Sequence, residues 1–243
     1  MSLYRDEAIV LRTQKLGEAD RIITLLTREH GRIRGVAKGV RRTKSKFGAR
    51  LEPGSHVDIQ LYTGRTFDTV TQVESIFNYG EALTDDYSRW TIAGAILEAA
   101  ERFTSHEHEP ALQEFKLVTG AMKALAEDKY DSSMILDAYL LRSLAVGGYA
   151  PSLTNCSKCD ASGPHRYFSL VGGGLVCADC RPSASATPAP ETLKLMSDLI
   201  SGNWESAMAS ELRNRREANG LIAAYLQWHL ERGLRSLQLV ERA

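Results

Sequence analysis

The sequence predicts a multidomain α+β protein: a five-stranded β-barrel at the N-terminus, followed by a mainly α-helical domain with an inserted four-cysteine segment. Three observations support this fold class: β-rich runs in the first 80 residues, helical periodicity from about residue 85, and two Cys-x2-Cys pairs. The predicted domains are residues 1–80 and 81–243, and the cysteine insert covers residues 152–182.

Five short runs rich in β-branched residues predict the strands, and turn residues such as Gly17, Gly31 and Gly54 separate them. The run at 57–62 alternates, with Val57, Ile59 and Leu61 on one face. The runs are residues 7–11, 21–26, 32–37, 57–62 and 69–76. Five strands in roughly 75 residues suit a closed barrel of the oligonucleotide-binding (OB) kind. A small five-stranded sheet on another plan is the alternative.

Apolar residues fall at helical spacing from Trp90 to Phe103, from Leu112 to Met122 and from Met134 to Leu140. Ser132 and Ser133 are cap candidates for the third of these helices. After the cysteine segment and a Pro/Ser/Ala-rich linker at 182–188, two more helices are predicted, near 190–200 and 211–231. Because the helices on both sides of the insert are amphipathic, we expect them to pack together as one domain.

The four cysteines have the spacing of a metal site. Cys156, Cys159, Cys177 and Cys180 form C-x2-C-x17-C-x2-C, which is typical of a zinc ribbon. Two residues between cysteines let both thiolates of a tight turn face one ion, and four sulfur ligands leave no open position, so the zinc would be structural. A redox-active dithiol pair is the alternative.

Charge is divided unevenly in a chain whose formal net charge is zero. Residues 1–80 hold 14 Lys/Arg and 9 Asp/Glu, whereas residues 81–243 hold 16 and 21. The segment from Gly31 to Arg50 has eight basic residues and no acidic one, which predicts contact with a phosphate backbone. A solvated run of surface charges is the alternative. The eight are Arg32, Arg34, Lys38, Arg41, Arg42, Lys44, Lys46 and Arg50.

Phe47 lies inside this basic segment. Because a loop offers it no obvious core, we expect its ring to be a candidate stacking surface for a base. No phosphate-binding Gly-rich loop, zinc-protease motif or nucleophile–base pattern occurs in the sequence. The expectation is therefore a binding protein with no catalytic site and no small-molecule substrate.

These motifs resemble the RecO family of bacterial recombination mediators. The resemblance rests on residues 7–12 (EAIVLR), 17–27 (GEADRIITLLT) and 38–42 (KGVRR), and it resumes at 139–144 (YLLRSL), 148–151 (GYAP) and the four cysteines. It implies an OB-fold domain, a helical domain and a zinc-binding module. It also implies binding of single- and double-stranded DNA, strand annealing, and cooperation with RecR and the single-stranded-DNA-binding protein in loading RecA.

Two other functions stay open on the residues alone: an RNA-binding protein of the translation apparatus, or a scaffold whose basic loop meets an acidic protein tail. No apolar run approaches the roughly 20 residues that span a bilayer. The N-terminal residues lack the apolar stretch of a secretory signal. We therefore expect a cytoplasmic, nucleoid-associated protein with no membrane partner.

Overall fold

A computed structural model describes residues 2–230 and 233–240. The first five strands form a closed barrel in the order β1-β2-β3-β5-β4, with β4 pairing back onto β1. All neighbours are antiparallel except β3 and β5, which pair in parallel through Gly35–Asp68 and Val36–Thr69. The predicted OB-like barrel is confirmed. Its strands are β1 (Leu3–Leu16), β2 (Asp20–Thr27), β3 (Gly31–Ala37), β4 (Ser55–Tyr62) and β5 (Asp68–Asn78).

Strand β1 closes the barrel because it is long enough to pair on both sides. Its first half pairs with β4, from Leu3 opposite Tyr62 onward, and its second half pairs with β2. A register shift between Val10 and Arg12 lies where the strand passes from one partner to the other. Such a bulge bends a strand and increases its twist, as the closure of a small barrel requires.

The barrel interior is filled by alternate residues of all five strands. Val57, Ile59 and Leu61 point inward, as their alternation predicted, and all three side chains are fully buried. Residues that follow β3 also enter this core. The interior is therefore occupied by side chains, and any nucleic acid would contact the outside of the barrel.

Three helices belong to the same compact unit as the barrel, which spans residues 1–127. Helix α2 contacts β1 and helix α3 contacts β2, so that Ile9, Leu11 and Leu26 are buried on the outer side of these strands. Residues 1–127 hold 18 Lys/Arg and 18 Asp/Glu. The charge imbalance is thus a property of the barrel, while the unit as a whole is balanced. These helices are α1 (Tyr79–Ala82), α2 (Tyr87–Phe103) and α3 (Leu112–Glu127).

The second unit spans residues 128–243 and contains four helices and a small hairpin within its described part. The helices are α4 (Ser132–Val146), α5 (Pro190–Ser201), α6 (Trp204–Met208) and α7 (Leu212–His229). The hairpin is β6 (Tyr167–Ser169) with β7 (Gly174–Val176). The sequence did not predict α6.

The cap of α4 corrects one expectation. Asp131, not Ser132 or Ser133, is the N-cap residue, and its carboxylate accepts hydrogen bonds from the backbone N–H groups of Ser133 and Met134. Carboxylate and hydroxyl caps are both favourable at this position, so the residue with non-helical backbone geometry directly before the helix takes the role. The two serines lie in the first turn of the helix.

The hairpin is anchored in the second unit. Phe168 of β6 is buried, and its ring meets Tyr225 of α7 edge-on at 5.8 Å. The backbone of Phe168 also exchanges two hydrogen bonds with Ala186 in the linker that follows the cysteines. Since α5 contacts both α4 and α7, one helix before the insert, α4, packs with helices after it, whereas α2 and α3 belong to the first unit.

Candidate nucleic-acid interface and metal centre

Residues 38–54, the basic loop, connect β3 to β4 and are fixed at their base by the barrel. The backbone N–H of Gly39 donates to the Asp20 carboxylate at 2.7 Å, and the N–H of Arg41 donates to the Ala19 carbonyl at 3.0 Å. Val40, Phe47 and Leu51 anchor the loop in the barrel core. The loop therefore presents its charged residues from a defined backbone.

The six basic residues of this loop are all exposed: Lys38, Arg41, Arg42, Lys44, Lys46 and Arg50. Within residues 2–230 and 233–240, none of the six forms an ion pair with a carboxylate. Other arginines of the barrel do: Arg5 pairs with Asp58, Arg21 with Glu52 and Arg28 with Glu7. Within the described residues the six side chains are thus not engaged in direct ion pairs, which favours binding of a polyanion.

Three of the six also support the loop itself. Arg41 Nη1 donates to the carbonyls of Gly17 and Glu18, and Lys46 Nζ donates to the Thr71 carbonyl at 2.9 Å. Arg50 donates to two carbonyls within the loop. A variant at these three positions would alter loop structure as well as charge. Lys38, Arg42 and Lys44 are the cleaner probes of charge alone.

The two strand arginines, Arg32 and Arg34, are engaged within the first unit. Arg34 Nε lies 2.5 Å from a Glu107 carboxylate oxygen, and Arg32 lies 3.8 Å from the same oxygen. Arg32 also donates to the carbonyl of Glu101 in the last turn of helix α2 and to the carbonyl of Ser105, which follows that helix. Sequence reasoning missed Glu107, because nothing in its local sequence signals that the 105–109 loop pairs with β3.

The expectation that Phe47 lies outside any core and can stack on a base is wrong. Its side chain is only 2% exposed and packs in the barrel core with Val40 and Leu51. The Lys46 ammonium lies 4.9 Å from the centre of its ring. The loop folds back onto the barrel, so that the Phe47 ring is buried in the barrel core. Phe47 is an anchor in this structure, and its ring is not available for stacking on a base.

Replacing Phe47 with leucine should therefore reduce stability and leave DNA binding nearly unchanged. We expect a loss of about 1 kcal/mol in the free energy of unfolding, because a smaller apolar side chain underfills a well-packed site. Denaturant unfolding and a DNA titration of the same preparation measure both effects. Weaker DNA binding at unchanged stability would instead indicate a stacking role.

The four cysteines converge at one point. Their Sγ atoms all lie within 4.8 Å of one another, and the Cys159 and Cys177 sulfurs are 3.8 Å apart. A tetrahedral zinc ion with Zn–S bonds of about 2.3 Å requires sulfur separations of about 3.8 Å. A disulfide requires about 2.05 Å, and all four cysteines are free. The cluster can hold a metal ion, and its dimensions fit zinc.

The pKa values of the cysteine thiols also favour a metal ion in this cluster. Backbone hydrogen bonds from Cys177, Cys159 and Lys158 lower the pKa of Cys156 to about 6. Hydrogen bonds with Cys177 and Cys159 raise the pKa of Cys180 to about 12. Four thiolates this close repel one another, so joint ionisation requires a cation among them. Within the described residues the cluster consists of the four cysteines and does not include His165, whose Nε2 lies 2.8 Å from the Ala161 carbonyl oxygen.

Comparison with known proteins identifies the family. The model for "Recombination protein O N terminal" matches residues 1–79, and that for "Recombination protein O C terminal" matches residues 84–238. A protein described as "DNA repair protein RecO" from Thermobifida fusca is 58% identical over 243 residues and covers both chains fully. The chain belongs to the RecO family. A RecO from Streptomyces avermitilis is also 58% identical, over 248 residues and both full chains.

Membership in the RecO family confirms the resemblance found in the sequence. RecO proteins are DNA-binding recombination mediators rather than enzymes, and this chain is accordingly a DNA repair protein without a catalytic role. The two family models meet near residue 80, whereas the contacts of the structure place α2 and α3 with the barrel. Among the described residues, no helix combines the length and apolar character needed to cross a bilayer.

Proposed function

We propose that this RecO chain holds DNA, single- or double-stranded, on the basic loop and anneals complementary strands. The observation that carries the proposal is the group of six exposed basic side chains that form no ion pair with any carboxylate in the described part of the chain. Each such charge that neutralises a phosphate releases condensed counterions from DNA, which drives binding without reading sequence. We rank Lys38, Arg42 and Lys44 first among the proposed contacts, because their side chains form no hydrogen bond or ion pair with the residues that the structure describes.

Arg41, Lys46 and Arg50 would contribute charge while keeping the loop in place. Arg32 and Arg34 would add to the positive potential from β3, with part of their charge offset by Glu107. Annealing needs no bond to be made or broken by the protein. It requires that two repelling phosphate backbones be screened and held close, which a dense positive surface accomplishes.

The metal ion we propose for the cysteine cluster is zinc, with one ion per chain bound by Cys156, Cys159, Cys177 and Cys180. Its support is the sulfur geometry, which matches a closed tetrahedral site. A bound zinc would cross-link the two Cys-x2-Cys turns. The ion would therefore stabilise the hairpin of β6 and β7 and take no direct part in DNA binding.

The partners we propose are RecR and the single-stranded-DNA-binding protein, with RecA loaded indirectly. Their support is the family resemblance. The compartment we propose is the cytoplasm, in association with the nucleoid, where DNA is present and reducing conditions keep thiols available for metal.

An annealing assay tests the proposed function directly. Purified full-length protein should accelerate pairing of two complementary DNA strands without a nucleotide cofactor, and acceleration should fall steeply as salt rises. Filter or fluorescence binding to single-stranded DNA and to RNA of the same sequence provides the second arm. Tight binding to RNA with weak binding to DNA, or no acceleration at low salt, would contradict the proposal.

A further inference from the structure

A second group of basic side chains lies beside the hairpin of β6 and β7, with Arg166 directly before β6 and Arg181 directly after the last cysteine. The guanidinium carbons of Arg166 and Arg181 lie 5.0 and 4.3 Å from the ring centre of Tyr167. Arg166 Nη2 also donates to the Tyr167 hydroxyl at 2.7 Å. We call Arg166, Tyr167 and Arg181 the arginine–tyrosine cluster.

The cluster faces solvent. Side chains alternate along a strand, and Phe168, which follows Tyr167, points into the second unit against Tyr225. Tyr167 accordingly lies on the opposite face, and both arginines are exposed. The hairpin thus has one face that anchors it and one face that presents two guanidinium groups on a tyrosine ring.

Carboxylates of the described residues leave both arginines of the cluster unpaired. Across the described residues of the second unit, Arg213 and Arg215 lie beside Glu211 and Asp131, whereas Arg166 and Arg181 form no ion pair with a carboxylate. The hydrogen bond from Arg166 and the nearby charge of Arg181 lower the pKa of the Tyr167 hydroxyl, as a locally positive potential should. The same combination of exposure and unpaired charge distinguishes the basic loop of the first unit.

A planar guanidinium suits a phosphate because it can donate two parallel hydrogen bonds to its oxygens. Stacking on an aromatic ring restricts both long side chains, so less conformational entropy is lost when they bind. We propose that the arginine–tyrosine cluster is a second DNA-contacting site, which binds the phosphodiester backbone of a single strand. This inference rests on the proposed DNA-binding function and extends it from the barrel to the cysteine module.

The test compares two double variants of the full-length chain. Arg166→Ala with Arg181→Ala removes the proposed contacts, and Arg213→Ala with Arg216→Ala removes the same charge from exposed positions on α7. Binding to a fluorescent oligo(dT) is measured from low to moderate salt. Two lost phosphate contacts should reduce the magnitude of the log–log salt slope by about 1.4 and weaken binding roughly 25-fold near 0.1 M salt. The control should change both values far less.

Because Arg181 follows Cys180, metal content and a thermal melt are checked for each variant. If the double variant loses its metal, Arg166→Ala alone replaces it, with an expected change of about 0.7 in slope and roughly fivefold in affinity. The inference is overturned if the folded cluster variant binds oligo(dT) as tightly as the wild type. It is also overturned if the cluster variant loses no more affinity than the control variant does. Either result leaves the proposed function intact. A wild-type protein that does not bind oligo(dT) overturns the proposed function itself.

Discussion

Replacing Cys156 with serine should abolish binding of the proposed zinc ion and lower the stability of the second unit by at least about 3 kcal/mol. Structural zinc sites in small peptides supply roughly 10–16 kcal/mol of apparent binding free energy, and part of that energy maintains the fold. Here the hairpin also packs through Phe168 on Tyr225, so the loss is smaller than in an isolated zinc module. For a protein of this size, we expect the melting temperature to fall by roughly 10 °C.

Metal analysis and a thermal melt measure this effect, and Ser157→Ala is the matched control. Ser157 lies in the same turn as Cys156 but is not a ligand, and its buried hydroxyl has no hydrogen-bond partner in the described part of the chain. The control should retain about one equivalent of zinc and the wild-type melting temperature. Two disulfides and no zinc in protein purified under reducing conditions would contradict the metal assignment.

Replacing Lys38, Arg42 and Lys44 with alanine should weaken binding to single-stranded DNA about 100-fold near 0.1 M salt. Each phosphate contact on a single strand contributes about 0.7 to the log–log salt slope, so three contacts amount to about two orders of magnitude at that salt. The loss should be similar for all sequences, because phosphate contacts carry no base information. Annealing should decline together with binding.

A control with the same composition separates a specific site from general loss of charge. Arg102, Lys116 and Lys123 are exposed residues of α2 and α3, and replacing them with alanine removes the same three positive charges from the same unit. The free energy of unfolding of the loop variant should differ from that of the wild type by no more than about 0.5 kcal/mol. The three side chains are exposed and form no hydrogen bond with other described residues. Equal losses of affinity in both variants would show that net charge, rather than the basic loop, governs binding.

The local pattern of the sequence predicted most of the barrel and the clustering of the four cysteines. Alternation of Val57, Ile59 and Leu61 identifies a strand with one buried face, and a two-residue gap between cysteines brings their sulfurs together within one turn. Both features depend on neighbours along the chain. The strand alternation and the cysteine spacing can therefore be recognised without knowledge of the tertiary fold.

Features that depend on distant contacts were missed. Phe47 looked exposed because its neighbours are polar, yet the loop returns it to a core made by strands that begin as far apart as Leu3 and Asp68. Arg32 and Arg34 looked free because the acid that meets them, Glu107, lies beyond the second helix. In each case the deciding contact joins segments that sequence reasoning cannot place together.

The packing of α2 and α3 against the barrel is weakly indicated by the sequence of β1 and β2. Residues Ala8 to Leu11 and Ile22 to Leu26 are nearly continuous apolar runs, unlike the alternating run of β4. A strand of this kind is buried on both faces, which implies a covering layer outside the barrel. The charge contrast between residues 1–80 and the rest was a less useful guide, because the first unit as a whole is balanced.

A salt titration of the Lys38, Arg42 and Lys44 variant beside the wild type tests most directly whether the exposed basic loop holds DNA by its phosphates. The logarithm of the binding constant for an oligo(dT) is plotted against the logarithm of salt concentration for both proteins. We predict that the magnitude of the slope is smaller by about 2 in the variant, with melting temperatures that agree. An unchanged slope in a folded variant would contradict the account, because it would mean that these three residues release no counterions and that DNA is bound elsewhere.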